Sequence, residues 1–269
     1  MKLLSVIITT YNWETALERC LNSLFAQTDN QFEIIIADDG SGVATHTLIA
    51  ELIEQSPVPL RHCFHEDKGF RAGTIRNQAV LASRGDYLIF LDGDCVVFRH
   101  FIQRHRQLMQ AGYFVAGNRV LLNQAFTQAV LSAPIQLPEK SFLHFVGWRL
   151  QGKINRLLPL LYLPVNFLRL QRPQYWQQAM TCNLAMWKQD FITVNGFDQL
   201  FEGWGYEDSD LVIRLIHAGI RRKEGRFAVP VLHLWHQQND RSEQQRNYQR
   251  LQERLANPDF IRAERGLMP

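Results

Sequence analysis

The stretch "GDYLIFLDGDC", residues 85–95, sets an apolar run directly against two carboxylates. Leu88, Ile89, Phe90 and Leu91 form the short continuous run that a fully buried strand carries. Asp92 and Asp94 follow with only Gly93 between them. Side chains two apart on a strand point the same way, about 7 Å from each other, and a glycine lets a ligand approach the backbone. One carboxylate can then bind a divalent cation while the other works through water or a ribose hydroxyl. Mg²⁺ and Mn²⁺ favour such sites and complete their shells with substrate phosphates. The same three residues also make an ordinary polar turn where a strand leaves a core, so their neighbours must decide.

The pattern continues outward in both directions. "LLSVIITT" (3–10), "FEIIIAD" (32–38) and the weaker "PLRHCFHE" (59–66) read as further strands. Between them, Leu17, Cys20, Leu21, Leu24 and Phe25 recur at helical spacing, and helices are expected over 44–55, 71–83 and 99–110. A strand is expected at "YFVAGNRV" (113–120). This alternation predicts a mostly parallel α/β sheet with helices on both faces. "TTYN" (9–12), "DDGSG" (38–42), "HEDKG" (65–69) and "DGDC" (92–95) each stand just after a strand. The carboxyl ends of parallel strands share one edge, where open sheets bind ligands, so the four clusters are expected in one cleft.

The 269 residues suffice for one large α/β domain, and a net charge of +3 argues for no nucleic-acid partner. The charge is uneven: no acid occurs from Lys140 to Lys188, a span that carries Arg149, Lys153, Arg156, Arg169 and Arg172. Such a basic, apolar-rich segment suits an anionic acceptor or membrane surface, or else forms a solvated basic face. Cys20, Cys63, Cys95 and Cys182 form no C-x-x-C pair, and free thiols in a reducing compartment are expected. "MKLLSVIITTYN" lacks a signal-peptide cleavage pattern, and no apolar run reaches the roughly 20 residues of a spanning helix. A cytoplasmic protein, soluble or peripheral on the inner face of the cytoplasmic membrane, is expected.

Other residues offer chemistry. Asp38 and Asp39 stand at the same sheet edge as carboxylates for a nucleoside, or close an Asp-Gly turn. Arg76 can pair with phosphate as a fork. Glu207 and Asp208 follow "GWGY" (203–206), where a helix should start, with Trp204 as a sugar platform; Trp204 and Asn183 are the expected acceptor-binding residues. A carboxylate there suits a general base for a hydroxyl. "FAVPVLHLWH" (227–236) reads as a strand ending in His233 and His236, whose spacing of three argues against both facing one ion from a strand. From Gln237 the tail is polar and is expected as a surface helix or partly disordered.

In order, "SVIITTYN", "IIADDGS", "DKGFRAGTIRNQAV", "GDYLIFLDGDC", "VNGFD" and "GWGYEDSDLVIRL" resemble the family 2 glycosyltransferases of GT-A fold, over roughly residues 3–100 and 180–236. The last block also resembles the galactosyltransferase-type "GWG-x-ED" segment of bacterial chondroitin and hyaluronan polymerases. The resemblance implies a UDP-sugar donor whose uracil or ribose is held by Asp38 and Asp39, flanked by Thr9 and Tyr11, with Arg76 nearby. It implies that Asp92 and Asp94 bind ribose and a Mn²⁺ or Mg²⁺ cofactor, and that Asp208, with Glu207, acts as base. It assigns a metal-binding histidine, with "HQ" favouring His236 over His233.

One GT-A domain over 1–236 is therefore expected: a nucleotide-sugar half (1–122), a basic irregular acceptor-side insertion (123–180) and an acceptor/catalytic half (181–236), followed by a polar tail (237–269). The expected activity is inverting, metal-dependent transfer of a sugar to a glycan or glycolipid acceptor, such as lipopolysaccharide core or a capsule precursor. No "QxxRW" motif of processive synthases is found, so single addition is expected. The alternatives are a sugar nucleotidyltransferase and a non-catalytic sugar-nucleotide or glycan-binding protein.

Overall fold

A computed structural model describes residues 2–133, 137–164, 167–237 and 240–267. In chain order the elements are β1 (Leu4–Thr10), α1 (Glu14–Phe25), β2 (Phe32–Asp38), α2 (Val43–Gln55), β3 (Leu60–Phe64), α3 (Ala72–Ala82), β4 (Tyr87–Asp92), β5 (Cys95–Val97), α4 (Phe101–Leu108), β6 (Tyr113–Ala116) and β7 (Asn118–Leu121). There follow α5 (Gln124–Ser132), α6 (Phe142–Leu150), β8 (Asn183–Trp187), α7 (Lys188–Thr193), α8 (Glu207–His217), β9 (Arg221–Glu224), β10 (Pro230–His233) and α9 (Gln244–Ala256). Short 3-10 turns at Leu137–Glu139, Leu158–Leu160 and Phe167–Leu170 punctuate the insertion.

Among the described residues the main sheet has seven strands in the order β3-β2-β1-β4-β8-β6-β9. Only β8 runs against its neighbours, so the sheet is mostly parallel. Its two faces bury separate apolar clusters. Val6, Ile8, Ile34, Ile36, Ile89 and Leu91 meet α1 and α2 on one side. Ile7, Ile35, Leu88 and Phe90 meet α3, α7 and α8 on the other. The alternation follows from the two-residue period of a strand whose faces are both covered.

A second sheet, β5-β10-β7, stands beside the first. The run 113–120, expected as one strand, breaks at Gly117 into β6 of the large sheet and β7 of the small one. A Cβ at Gly117 would lie 2.2 Å from the Asn183 side chain. That side chain fills the kink and donates to the Val229 carbonyl at 2.5 Å. Likewise the run 227–236 is a strand only over Pro230–His233.

The insertion packs Phe145 of α6 with Val120, Leu122, Leu232 and Leu234 of the small sheet. Arg169 is not part of a solvated basic face. It is buried and donates to the Glu224 and Arg226 carbonyls, tying the insertion to β9. The polar tail is helical and integrated. Leu251 of α9 is buried, and Arg254 reaches Asp198 at 3.4 Å and Asp210 of α8 at 3.6 Å. The described part of the tail thus packs on the domain through α9.

Candidate active site

The carboxyl ends of β1, β2 and β4, the loop after β3, the start of α8 and the end of β10 surround a cleft of about 1210 Å³. Thr9, Tyr11, Asp39, Arg76, Asp92, Asp94, Trp204, Glu207, Asp208, His233 and His236 all line it. The loops are cross-tied. Asn12 links the first two strand ends, its side-chain Oδ1 accepting from the Gly42 N–H at 2.8 Å while its backbone N–H donates to Ser41 Oγ at 2.9 Å. Tyr11 Oη donates to Asp67 Oδ2 at 2.9 Å. Gly93 is pressed against β1, where its N–H donates to the Thr9 carbonyl at 2.8 Å and a Cβ would meet that oxygen at 3.1 Å.

Asp94 sits between two imidazoles. His233 Nε2 is 3.5 Å from its Oδ1 and His236 Nε2 is 3.5 Å from its Oδ2. The spacing of three argued against this. The structure accommodates it because the strand ends at His233, and the chain then turns with the Leu234 N–H on the Asp94 carbonyl at 3.0 Å. Burial raises the Asp94 carboxyl above its usual range, and the neighbouring Asp92 charge adds to the shift against the histidines. A raised carboxylate beside two imidazoles is a donor set that suits a divalent cation, which supplies the missing positive charge. The residues present therefore fit Mn²⁺, and fit Mg²⁺, which favours all-oxygen shells, less well.

Arg76 is buried between the two halves of the cleft. Its Nε donates to Thr9 Oγ1 at 2.8 Å, and its two terminal nitrogens lie 3.3 Å from Glu207 Oε1 and 3.2 Å from Asp92 Oδ1. The fork expected to face phosphate is thus engaged by carboxylates. It holds the start of α8 against the end of β4.

Asp208 lies one residue into α8, reached through Gly203, Gly205 and Tyr206, all at positive φ (70°, 116° and 70°). Left-handed backbone at a tyrosine is costly, and such strain gathers at sites held in place by their surroundings. The Asp208 carboxyl is pushed up to about 7, first by burial and then by the Glu207 charge, with Arg76 opposing. An ionisable group near neutrality in a cleft is suited to move a proton. Trp204 has Arg241 over its ring at 4.7 Å.

Two expected residues lie elsewhere. Asp38 is buried outside the cleft lining, where Oδ1 accepts from the Ser41 N–H at 2.8 Å and Oδ2 pairs with His62 Nε2 at 2.9 Å. These bonds outweigh its burial and hold its pKa below the usual value. Asp39 takes the cleft position instead, accepting from the Arg71 N–H at 2.9 Å and pairing with His65 at 2.7 Å. Strand alternation sends adjacent aspartates to opposite sides, so only one of the pair can face a ligand. Asn183, expected beside an acceptor, is 1 % exposed and fills the Gly117 kink. Conversely, Asp67, Trp13, Arg119 and Arg241 line the cleft without having been singled out. Asp67 was readable from its place in the post-strand cluster. Arg119 and Arg241 had no local signal.

A family model described as "Glycosyl transferase family 2" matches residues 5–158, and one described as "N-terminal domain of galactosyltransferase" matches residues 164–237. The chain belongs to glycosyl transferase family 2, with a galactosyltransferase-like C-terminal segment. Validoxylamine A glucosyltransferase of Streptomyces hygroscopicus subsp. limoneus is 29% identical over 227 residues, covering 81% of this chain and 49% of the relative. The chain thus spans about half the length of that relative. Among solved structures, S. aureus TarS 1-349 in complex with UDP superposes with a TM-score of 0.62 at 14% identity, covering 96% of this chain and 66% of that one. The mannosyltransferase PcManGT from Pyrobaculum calidifontis, in complex with GDP-Man and Mn2+, gives 0.60 at 16% identity, covering 94% and 63%. At these identities the two structures speak for the fold.

Proposed function

We propose that the chain is an inverting, metal-dependent glycosyltransferase that takes a sugar from UDP and adds it to a hydroxyl of a bacterial surface glycan, such as lipopolysaccharide core or a capsule precursor. The observation that carries this reading is the pairing, across one cleft, of Asp94 between two histidines and Asp208 at a near-neutral pKa. Asp39, Tyr11 and Asp92 line this cleft and would take the nucleobase and ribose. Asp94, His233 and His236 would hold Mn²⁺ or Mg²⁺. When bound there, the cation neutralises the charge that builds on the leaving diphosphate.

Asp208 accepts the proton of the acceptor hydroxyl. The hydroxyl oxygen then bonds to the anomeric carbon as the bond from that carbon to the diphosphate oxygen breaks, and the electron pair leaves with UDP. One displacement inverts the anomeric centre and needs no covalent enzyme intermediate. Arg76 keeps Glu207 and Asp92 in register during this step, and Trp204 offers a ring face to the transferred sugar or the acceptor. Free UDP as product separates this reading from nucleotidyl transfer, which would release pyrophosphate.

The metal assignment is checked by calorimetry. Wild-type protein is expected to bind UDP with Mn²⁺ and weakly without it. Asp94→Ala is expected to lose the Mn²⁺-dependent part, about a hundredfold in affinity. Equal Mn²⁺-dependent affinity in that variant removes Asp94 from the site.

A further inference from the structure

The insertion carries an apolar surface that the rest of the molecule leaves open. More than half of the exposed large apolar side chains among the described residues fall between positions 142 and 168, a tenth of the chain. On α6, Phe142, Leu143 and Leu150 are 41 %, 78 % and 84 % exposed, and Val146 lies between them. At 3.6 residues per turn these four share a stripe about 100° wide. The opposite side of α6 is already satisfied, with Phe145 and Trp148 packed 5.0 Å apart on the small sheet's cluster. The helix therefore has two apolar faces, and only one has a partner.

Beyond Glu139, which precedes α6, the charge along the open face is cationic. Lys140, Arg149 and Arg156 are exposed, none has an ion-pair partner among the described residues, and the sequence holds no acid from Lys140 to Lys188. Burial first, and then the charges of Arg226 and Arg119, lower the pKa of Arg156. Arg156 thus stands near Arg119, which lines the cleft. A protein partner's interface would be expected to match both signs at its rim. A predominantly cationic border, with Glu139 its one acid, around an outward leucine and phenylalanine stripe is the pattern of a helix lying in a lipid interface.

We infer that α6, with Lys140, Arg149 and Arg156, docks the protein on an anionic lipid surface. The cleft then stands close to the bilayer, because α6 packs on Leu122 and Leu234, which form the cleft wall. The docking itself stands without the transfer reaction. Only its corollary, that the acceptor is held at a membrane, rests on the proposed activity.

Vesicle flotation tests this. Wild-type protein is expected to float with phosphatidylglycerol vesicles, to stay behind with pure phosphatidylcholine, and to be released by high salt. The double variant Leu143→Ser/Leu150→Ser and the single variant Arg149→Glu are each expected to reduce the floated fraction about tenfold. Both replace exposed side chains, and unchanged cooperative melting certifies their fold. Wild-type protein that fails to float, or a double variant that floats equally, overturns the inference. So does a wild-type dimer in ultracentrifugation that the double variant converts to monomer, since the stripe would then join two copies. Loss of UDP binding in a wild-type protein that still floats counts against the transferase reading alone.

Discussion

Asp208 shows how one carboxyl is prepared by its surroundings. A solvated aspartate is ionised at neutral pH and too weak a base to take a hydroxyl proton efficiently, and efficiency peaks when the pKa approaches the working pH. Here burial and the Glu207 charge raise it to about 7, and Arg76, bound to Glu207, limits the rise. The group must be ionised to act, so kcat/KM is expected to fall about tenfold for each pH unit below the shifted value. A flat profile between pH 5 and 8 would contradict the assignment. The same shift affects stability. The folded carboxyl keeps its proton up to about 7 while an unfolded one releases it near 3.8. Stability is therefore lost as pH rises through that window, and a cleft that needs this base accepts a less stable fold at neutral pH.

At the scale of elements, the divergence of neighbouring residues is the recurring theme. Asp38 and Asp39 are adjacent in sequence, yet one is locked under His62 and the other opens on the cleft. The post-strand clusters were legible because β1, β2 and β4 are apolar on both faces and end abruptly. The small sheet was not, because its strands are three or four residues long and joined by kinks that depend on distant side chains. β9 reads "RRKE" and gives no strand signal. Its buried Arg222 donates to the Tyr175 and Gln177 carbonyls of the insertion and pairs with Glu224 two residues on at 3.1 Å. Asn183 is the keystone of the Gly117 kink. Asn183→Ala is expected to leave the Val229 carbonyl without its donor and to destabilise the fold by about 1–3 kcal/mol, without changing UDP affinity at temperatures where the fold persists. Urea unfolding and calorimetry read the two effects separately, and weakened UDP binding in a stably folded variant would return Asn183 to the site.

The whole molecule assembles one cleft from segments spread over most of its length, from Thr9 to Ser242. Its first half was readable as a ligand-binding sheet edge. The way the tail returns was not: α9 is polar on its exposed side, and its docking rests on Arg254 reaching acids on two distant segments. That return brings Asp240, Arg241 and Ser242 to the cleft rim beside Trp204. The donor side is built from β1, β2 and β4, whereas the base arrives on α8 and the histidines on β10. Arg76 spans these parts. No helix among the described residues is long and apolar enough to cross a membrane.

The central claim is that this cleft holds a nucleotide sugar at one end and a proton acceptor at the other. The most direct measurement compares wild-type and Asp208→Asn protein for Mn²⁺-supported UDP affinity and for UDP release from a UDP-sugar with a cell-envelope acceptor. The expected result is affinity within about threefold and release reduced by about 10²–10⁴. Release by the variant at the wild-type rate would contradict the account.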